Sequence, residues 1–145
     1  MPFDRAVWLA PLAFAVRIGE EAPGFTRWVN GRITGEYEQG DFVRINAAGM
    51  AMTLGATWFV ARRPSRPLVF AYFVAVVSQQ AANTAFHADA TVAHRAYSPG
   101  LVSSIALYLP LWRALAQRAQ GDGLRGPPAG VPPLTGVGRF VYPSR

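Results

Sequence analysis

Two glutamates, Glu20 and Glu21, and two histidines, His87 and His94, are the side chains best suited to proton transfer or ligation. Glu20 follows Arg17 by three residues and Glu21 by four, so on a helix both carboxylates reach its guanidinium. Gln79 or Gln80, Asn83, His87, Thr91 and His94 follow one another at three- to four-residue steps, one face of a second helix. Burial and a neighbouring guanidinium act on carboxyl acidity in opposite directions, which splits adjacent glutamates into acid and base. Glu20 or Glu21 would then exchange a proton with substrate, with His87 or His94 as partner. Isomerisation, cyclisation and epoxide opening need only such a transfer and no cofactor. The same four residues also form an N/O ligand set for a divalent metal such as Zn, Fe or Mn.

Each residue also has a plainer reading, in which the chain is a non-catalytic membrane protein that binds a ligand or assembles as an oligomer. Arg17 with Glu20 and Glu21 reads equally as an interfacial ion pair. His87 near a helix end reads as an interface residue, and His94 beside Arg95 as loop. Gln79, Gln80 and Asn83 read as polar glue between helices. Trp28, Tyr97 and Trp112 look like aromatic belt residues.

The elements that must position these groups are apolar. Charged residues make up 15% of the 145-residue chain, well below the roughly 25% of soluble proteins. Between Phe42 and Ala61 the only charge is Arg44, and between Leu68 and Phe86 there is none. Such runs suffice to cross a hydrocarbon core of roughly 30 Å. The expected fold is therefore an all-α bundle of four transmembrane helices. They span approximately Arg5–Ala22, Phe42–Ala61, Leu68 to at least His87, and Pro99–Leu115, the last kinked by Pro110. A first domain thus covers residues 1–120, followed by an irregular Gly/Pro-rich cytoplasmic tail, 121–145. Phe25–Asp41 is a polar connection and Arg62–Pro67 a basic turn. The first apolar run, without a small-residue cleavage site before Arg17, is a retained helix. Ala47, Ala51 and Gly55, at four-residue steps, favour close helix approach and permit a homo-oligomer.

All 14 basic residues are arginine. Arg5, Arg62, Arg63, Arg66, Arg113, Arg118, Arg125, Arg139 and Arg145 fall on one side, and Arg27, Arg32, Arg44 and Arg95 on the other. This asymmetry places both termini in the cytoplasm. It also explains the net charge of +6 through topology, so nucleic acid is not an expected partner. Without cysteine there is no disulfide, iron–sulfur site or thiolate zinc site. In this topology Arg17, Glu20, Glu21, Asn46, His87 and His94 gather at the outer end of the bundle. Polar residues at membrane depth are costly unless they face its interior. Asn46, Gln80, Asn83 and Tyr97 would join Arg17 in supporting the site or binding substrate.

Arg17-Ile18-Gly19-Glu20-Glu21 with Gly24-Phe25-Thr26-Arg27-Trp28 resembles the signature of HXXEE-domain proteins, small bacterial membrane proteins. Asn83 to His87 and His94-Arg95-Ala96-Tyr97-Ser98-Pro99-Gly100-Leu101 are similar to that family's later His and Tyr-Ser-Pro-Gly segment. The resemblance implies a multi-pass protein of the bacterial cytoplasmic membrane whose partners are the bilayer and a hydrophobic or lipid-like substrate. Position 17 is Arg where the motif has His. A guanidinium cannot ligate a metal, so the departure favours an ion-paired acid–base site over a metal centre.

Overall fold

Helix starts and stops fall where local chemistry dictates. Glu38 and Asp41 bracket a capping box, each side chain accepting the other's backbone N–H, and open a 24-residue helix, Gln39–Arg62. After the basic turn, Ser65 in extended backbone and Pro67 in the first helical turn start the next helix, Arg66–Tyr72. It continues through a π turn, Phe73–Val77, into Ser78–His94. The chain leaves it at Arg95, whose φ of 47° is the left-handed conformation of a helix C-terminus. In the computed structural model, which describes residues 1–124, all regular structure is helical and no strand occurs among those residues.

A lone turn, Phe3–Ala6, leads into α1, Leu9–Glu21. A short helix, α2, Phe25–Arg32, precedes α3, Gln39–Arg62. The 29-residue helix Arg66–His94 is α4. The last helix, α5, comprises Leu101–Ser103, a π turn Ser104–Tyr108 and Leu109–Gly121. Helix α1 packs on α3 and α5, and α5 on the Ser78–His94 part of α4. Helix α3 meets α4 mainly through Arg66–Tyr72, so the two diverge away from the basic turn.

The bundle divides along its length. Towards the basic turn, Phe3, Val7, Ala10, Val60, Val69, Tyr72, Val76, Tyr108, Trp112 and Leu115 form an apolar core. There Thr57 Oγ1 and the Tyr72 hydroxyl, 3.2 Å apart, tie α3 to α4. At the opposite end Trp28, Val29 and Ala90 make a smaller core with Phe25 and Tyr37. Gly49 brings α3 close to α1, since a Cβ there would meet the Phe14 ring at 3.0 Å.

Several expectations change. The segment Phe25–Asp41 is not simply a connection, because its helix α2 packs on the end of the bundle away from the basic turn. Trp28 and Trp112 are not exposed belt residues: both are buried, Trp28 against Ala90 and Trp112 in the main core. The third helix, expected to reach at least His87, ends at His94, while the fourth continues past Leu115 to Gly121. Pro110 is preceded by a π turn, which rearranges the hydrogen bonds that proline disrupts. Ala47, Ala51 and Gly55 face away from the bundle. Among the described residues one helix, 66–94, is long and apolar enough to cross a membrane. Most of the predicted tail, Arg125, Arg139 and Arg145 included, lies outside the described residues. Its first residues are anchored: Phe3 N–H donates to Asp122 Oδ2 (2.9 Å) and Arg66 Nε to the Gly123 carbonyl (2.8 Å).

Candidate functional site

Arg17 and Glu21, one turn apart near the end of α1, both turn inward and are buried. Arg17 Nη2 donates to Glu21 Oε1 and, across to α4, to Asn83 Oδ1 at 3.2 Å. His87 lies a further turn along α4, fully buried, with Nε2 2.8 Å from Glu21 Oε1 and 3.4 Å from Arg17 Nη2. One carboxylate oxygen is thus shared between a guanidinium and an imidazole. Glu21 Oε2, Arg17 Nε and Asn83 Nδ2 have no hydrogen-bond partner among the described residues.

The imidazole is fixed from its other side. His87 Nδ1 is 2.9 Å from Ser98 Oγ, and the Ser98 N–H donates to Thr91 Oγ1 at 3.1 Å. A carboxylate only accepts, so a hydrogen bond from His87 to it needs the proton on Nε2, and in that tautomer Nδ1 accepts from the Ser98 hydroxyl. Phe25 and Phe86 pack edge-on against the ring, with centroids 5.8 and 5.3 Å away.

The segment Tyr97–Gly100 clasps both glutamates. The Tyr97 hydroxyl donates to Glu20 Oε1, and the Ser103 N–H to Glu20 Oε2 at 2.8 Å. Gly100, at φ +98°, lies so close to Glu21 that a Cβ would come within 2.6 Å of Oε1. Glu20 and Glu21, consecutive on a helix, point about 100° apart and serve different partners. Glu20 secures the start of α5, while Glu21 faces the cluster.

A pocket of about 250 Å³ adjoins the cluster, lined by Phe14, Arg17 and Glu21 of α1, Ile45, Asn46 and Gly49 of α3, and Gln79 and Asn83 of α4. Phe25 and Tyr37 roof it. Burial, and secondarily the charge of Asp41, raises the Tyr37 phenol above its usual pKa of 10.0. Asp41 itself is held below its usual 3.8, chiefly by the Glu38 backbone N–H it accepts and also by Arg44, at 2.7 Å.

Of the residues singled out in the sequence, Arg17, Glu21, Asn83 and His87 converge. Asn46 borders the same pocket, its Nδ2 donating to the Phe42 carbonyl at 3.0 Å. Gln80 is buried on the inner face with both amide atoms unpartnered among the described residues. Glu20 and Tyr97 bond each other beside the site. His94 is not in the cluster: it is exposed and packs edge-on against Trp28, centroids 6.0 Å apart. The four-residue ligand set Glu20, Glu21, His87 and His94 is therefore not assembled. Among the described residues no group of three His, Asp or Glu stands where it could hold a metal. Ser98 and Gly100 escaped notice as site residues because their part is played by a hydroxyl and by the lack of a side chain, although the Tyr-Ser-Pro-Gly segment itself stands out.

Two inward-facing motif blocks, one on α1 and one spanning the end of α4 and the start of α5, define a helical protein built round a buried Arg–Glu–His cluster. Residues 8–114 match the family described as "Protein of unknown function with HXXEE motif", and the chain belongs to that family. Comparison with curated proteins and with solved structures finds no match.

Proposed function

We infer that this chain is a multi-pass protein of the bacterial cytoplasmic membrane in which Glu21 and His87 form an acid–base pair acting on a hydrophobic substrate. The observation that carries the reading is Glu21 itself. Its Oε1 is held by Arg17 and His87 at the wall of a pocket, while Oε2 is left without a partner. That oxygen is the natural point of exchange with substrate. As base it takes a proton; as acid it delivers one, and Arg17 neutralises the carboxylate left behind. His87, fixed by Ser98, orients Glu21 and supplies a second site for the proton. Isomerisation, cyclisation and epoxide opening remain the reaction types that such a pair can drive. His94 falls outside this set, and Glu20 acts as an anchor.

The membrane placement rests on apolar surface and charge. Leu12, Val16, Val43, Ile45, Phe59, Phe70, Val74, Val92, Ile105 and Leu109 are all exposed, large apolar side chains of the kind that a bilayer would cover. Residues 3–21, 42–61, 66–94 and 101–121 would be the four crossings. The shortest, 3–21, reaches about 28 Å at 1.5 Å per residue. The arginine asymmetry then sets both termini on the cytoplasmic side.

The test follows the proton. Purified protein in lipid nanodiscs is incubated in D2O with a panel of lipophilic alkenes and epoxides, and products are examined by mass spectrometry. The expected result is a deuterium-bearing product formed by wild type, with and without chelator, and not by Glu21→Gln. Conversion that is equal in the two proteins would remove Glu21 from the chemistry. Conversion lost only with chelator would replace the acid–base reading with a metal-dependent one.

A further inference from the structure

Taking the reading above as its basis, we propose that the pocket opens sideways, between α3 and α4, and admits from the bilayer a lipophile with an uncharged oxygen-bearing head. The lining identifies the opening. Helix α1 forms the back wall, and Phe25 and Tyr37 close the pocket on the outer side. The remaining side lies between Ile45 and Gly49 of α3 and Gln79 and Asn83 of α4. Here α3 and α4 have parted, since their packing is concentrated at Arg66–Tyr72. Ile45 is 62% exposed and Gln79 is exposed, so the two outermost lining residues flank the gap. Ile45 lies three residues past Phe42, about 4.5 Å along the axis, and Gly49 seven, about 10 Å, which puts the opening in the outer half of a roughly 30 Å hydrocarbon core.

The head is read from charge and hydrogen-bonding capacity. Arg17 and Glu21 neutralise each other in the wall. At the rim, Asp41 and Arg44 do the same at 2.7 Å. A carboxylate head would meet Glu21, and an ammonium head Arg17, with no free counter-charge for either. What the wall holds is one buried unpartnered acceptor, Glu21 Oε2, and two buried unpartnered donors, Asn83 Nδ2 and Arg17 Nε. An alcohol, ketone or epoxide oxygen accepts from Asn83, and an alcohol can also donate to Glu21. At about 250 Å³ the pocket is below the usual 300–1,000 Å³ of sites that enclose whole drug-sized ligands. It takes the head and first carbons and leaves the tail in the gap among acyl chains.

The probes are three photoactivatable dodecyl compounds with the same diazirine, ending in hydroxyl, carboxylate or ammonium, added to the full chain in nanodiscs. Cross-linked residues are mapped by mass spectrometry. The alcohol is expected to label residues 45–49 and 79–83 about tenfold more than either charged probe, the factor that 1.4 kcal/mol confers. Ile45→Trp, which narrows the gap, and Asn83→Leu, which removes the donor, should each reduce that labelling several-fold. Equal labelling by all three probes, or preference for a charged one, overturns the uncharged head. Alcohol labelling that is undiminished in Ile45→Trp overturns the lateral opening. Glu21→Gln leaves Arg17 without its counter-charge, so in that variant the carboxylate probe should gain labelling relative to the alcohol, and an unchanged preference overturns the charge argument. If labelling behaves as expected but the deuterium assay finds no Glu21-dependent product, the acid–base reading fails while this one stands. The opposite pattern separates them the other way.

Discussion

Replacing Gly100 with alanine tests whether the start of α5 fixes the geometry of Glu21. Two costs combine. At φ +98°, an L-residue pays roughly 1–2 kcal/mol for the left-handed conformation. The new methyl would also stand 2.6 Å from Glu21 Oε1, 2.9 Å from Cγ and 3.1 Å from Cδ. Ordinary contact begins near 3.4 Å, so the carboxyl must retreat by about 0.8 Å or α5 must shift. A flexible surface glutamate would swing aside, but Glu21 is fully buried and held by Arg17 and His87. Moving it the full distance from His87 would lengthen the 2.8 Å contact beyond hydrogen-bonding range. Weakening a charged buried hydrogen bond adds roughly 1–3 kcal/mol, for a total of about 2–5 kcal/mol. Gly123→Ala supplies the control, because its φ of +69° is also positive yet nothing lies within 4 Å of its Cβ. Thermal melting in detergent should show Gly100→Ala falling well below Gly123→Ala, and the His87 15N resonances should move in the first protein only. If the two variants melt together with unchanged histidine signals, the steric argument is wrong and Gly100 matters only for its backbone.

Further outcomes are expected. Arg17→His places an imidazole at position 17 in the neighbourhood of Glu21 and His87, and removing Arg17 leaves a buried carboxylate short of a partner, costing roughly 3–5 kcal/mol. Added Zn2+ should raise the melting temperature of this variant and leave wild type unmoved; a variant indifferent to zinc would show that the three side chains cannot share an ion. Ser98→Ala removes the hydroxyl at His87 Nδ1 and should change the ring's tautomer balance, read from its 15N shifts; an unchanged spectrum would mean that Ser98 does not fix the ring. Asp41 has a pKa depressed below 3.8 in the folded chain, so its contribution at the start of α3 is full above that value and fades as pH falls through the folded pKa. Amide exchange at residues 39–43 should therefore accelerate only in strong acid, and acceleration already near pH 5 would contradict the capping assignment. Asp41→Asn removes a charge that raises the Tyr37 phenol, so ultraviolet titration should find Tyr37 ionising at lower pH than in wild type.

Much of this architecture was legible because a few rules dominate it. Apolar runs and turn residues located the long helices, and three- to four-residue spacing brought Arg17, Glu21, Asn83 and His87 to common faces. The same spacing misled at His94, because the last turn of α4 faces Trp28 of α2, a helix whose mixed sequence reads as a connection. Trp28 and Trp112 were misplaced for a related reason. An aromatic residue with one polar atom suits a membrane interface and a packed core equally, and only the neighbouring helices decide. The separate tasks of Glu20 and Glu21 were implicit in their adjacency, since consecutive helical residues diverge by about 100°. Which one faced the cluster depended on where α5 arrived. The clasp by Tyr97, Ser98 and Gly100 depends on long-range contacts, 77 residues apart for Tyr97 and Glu20, that no local pattern encodes.

The pairing of Arg17 with Glu21 inside a single helix bears on the order in which such a protein is made. Helices leave the ribosome in sequence, and α1 must wait for some seventy further residues before His87 and Asn83 exist. If α1 crosses the membrane as proposed above, a lone arginine or glutamate at that depth would resist leaving the translocation channel. Four residues apart on one face, the two groups cancel each other's charge as soon as α1 coils. In that case the first helix would partition into lipid with its polar pair already neutralised. The late-arriving α4 and α5 complete the site around a pair formed at the outset.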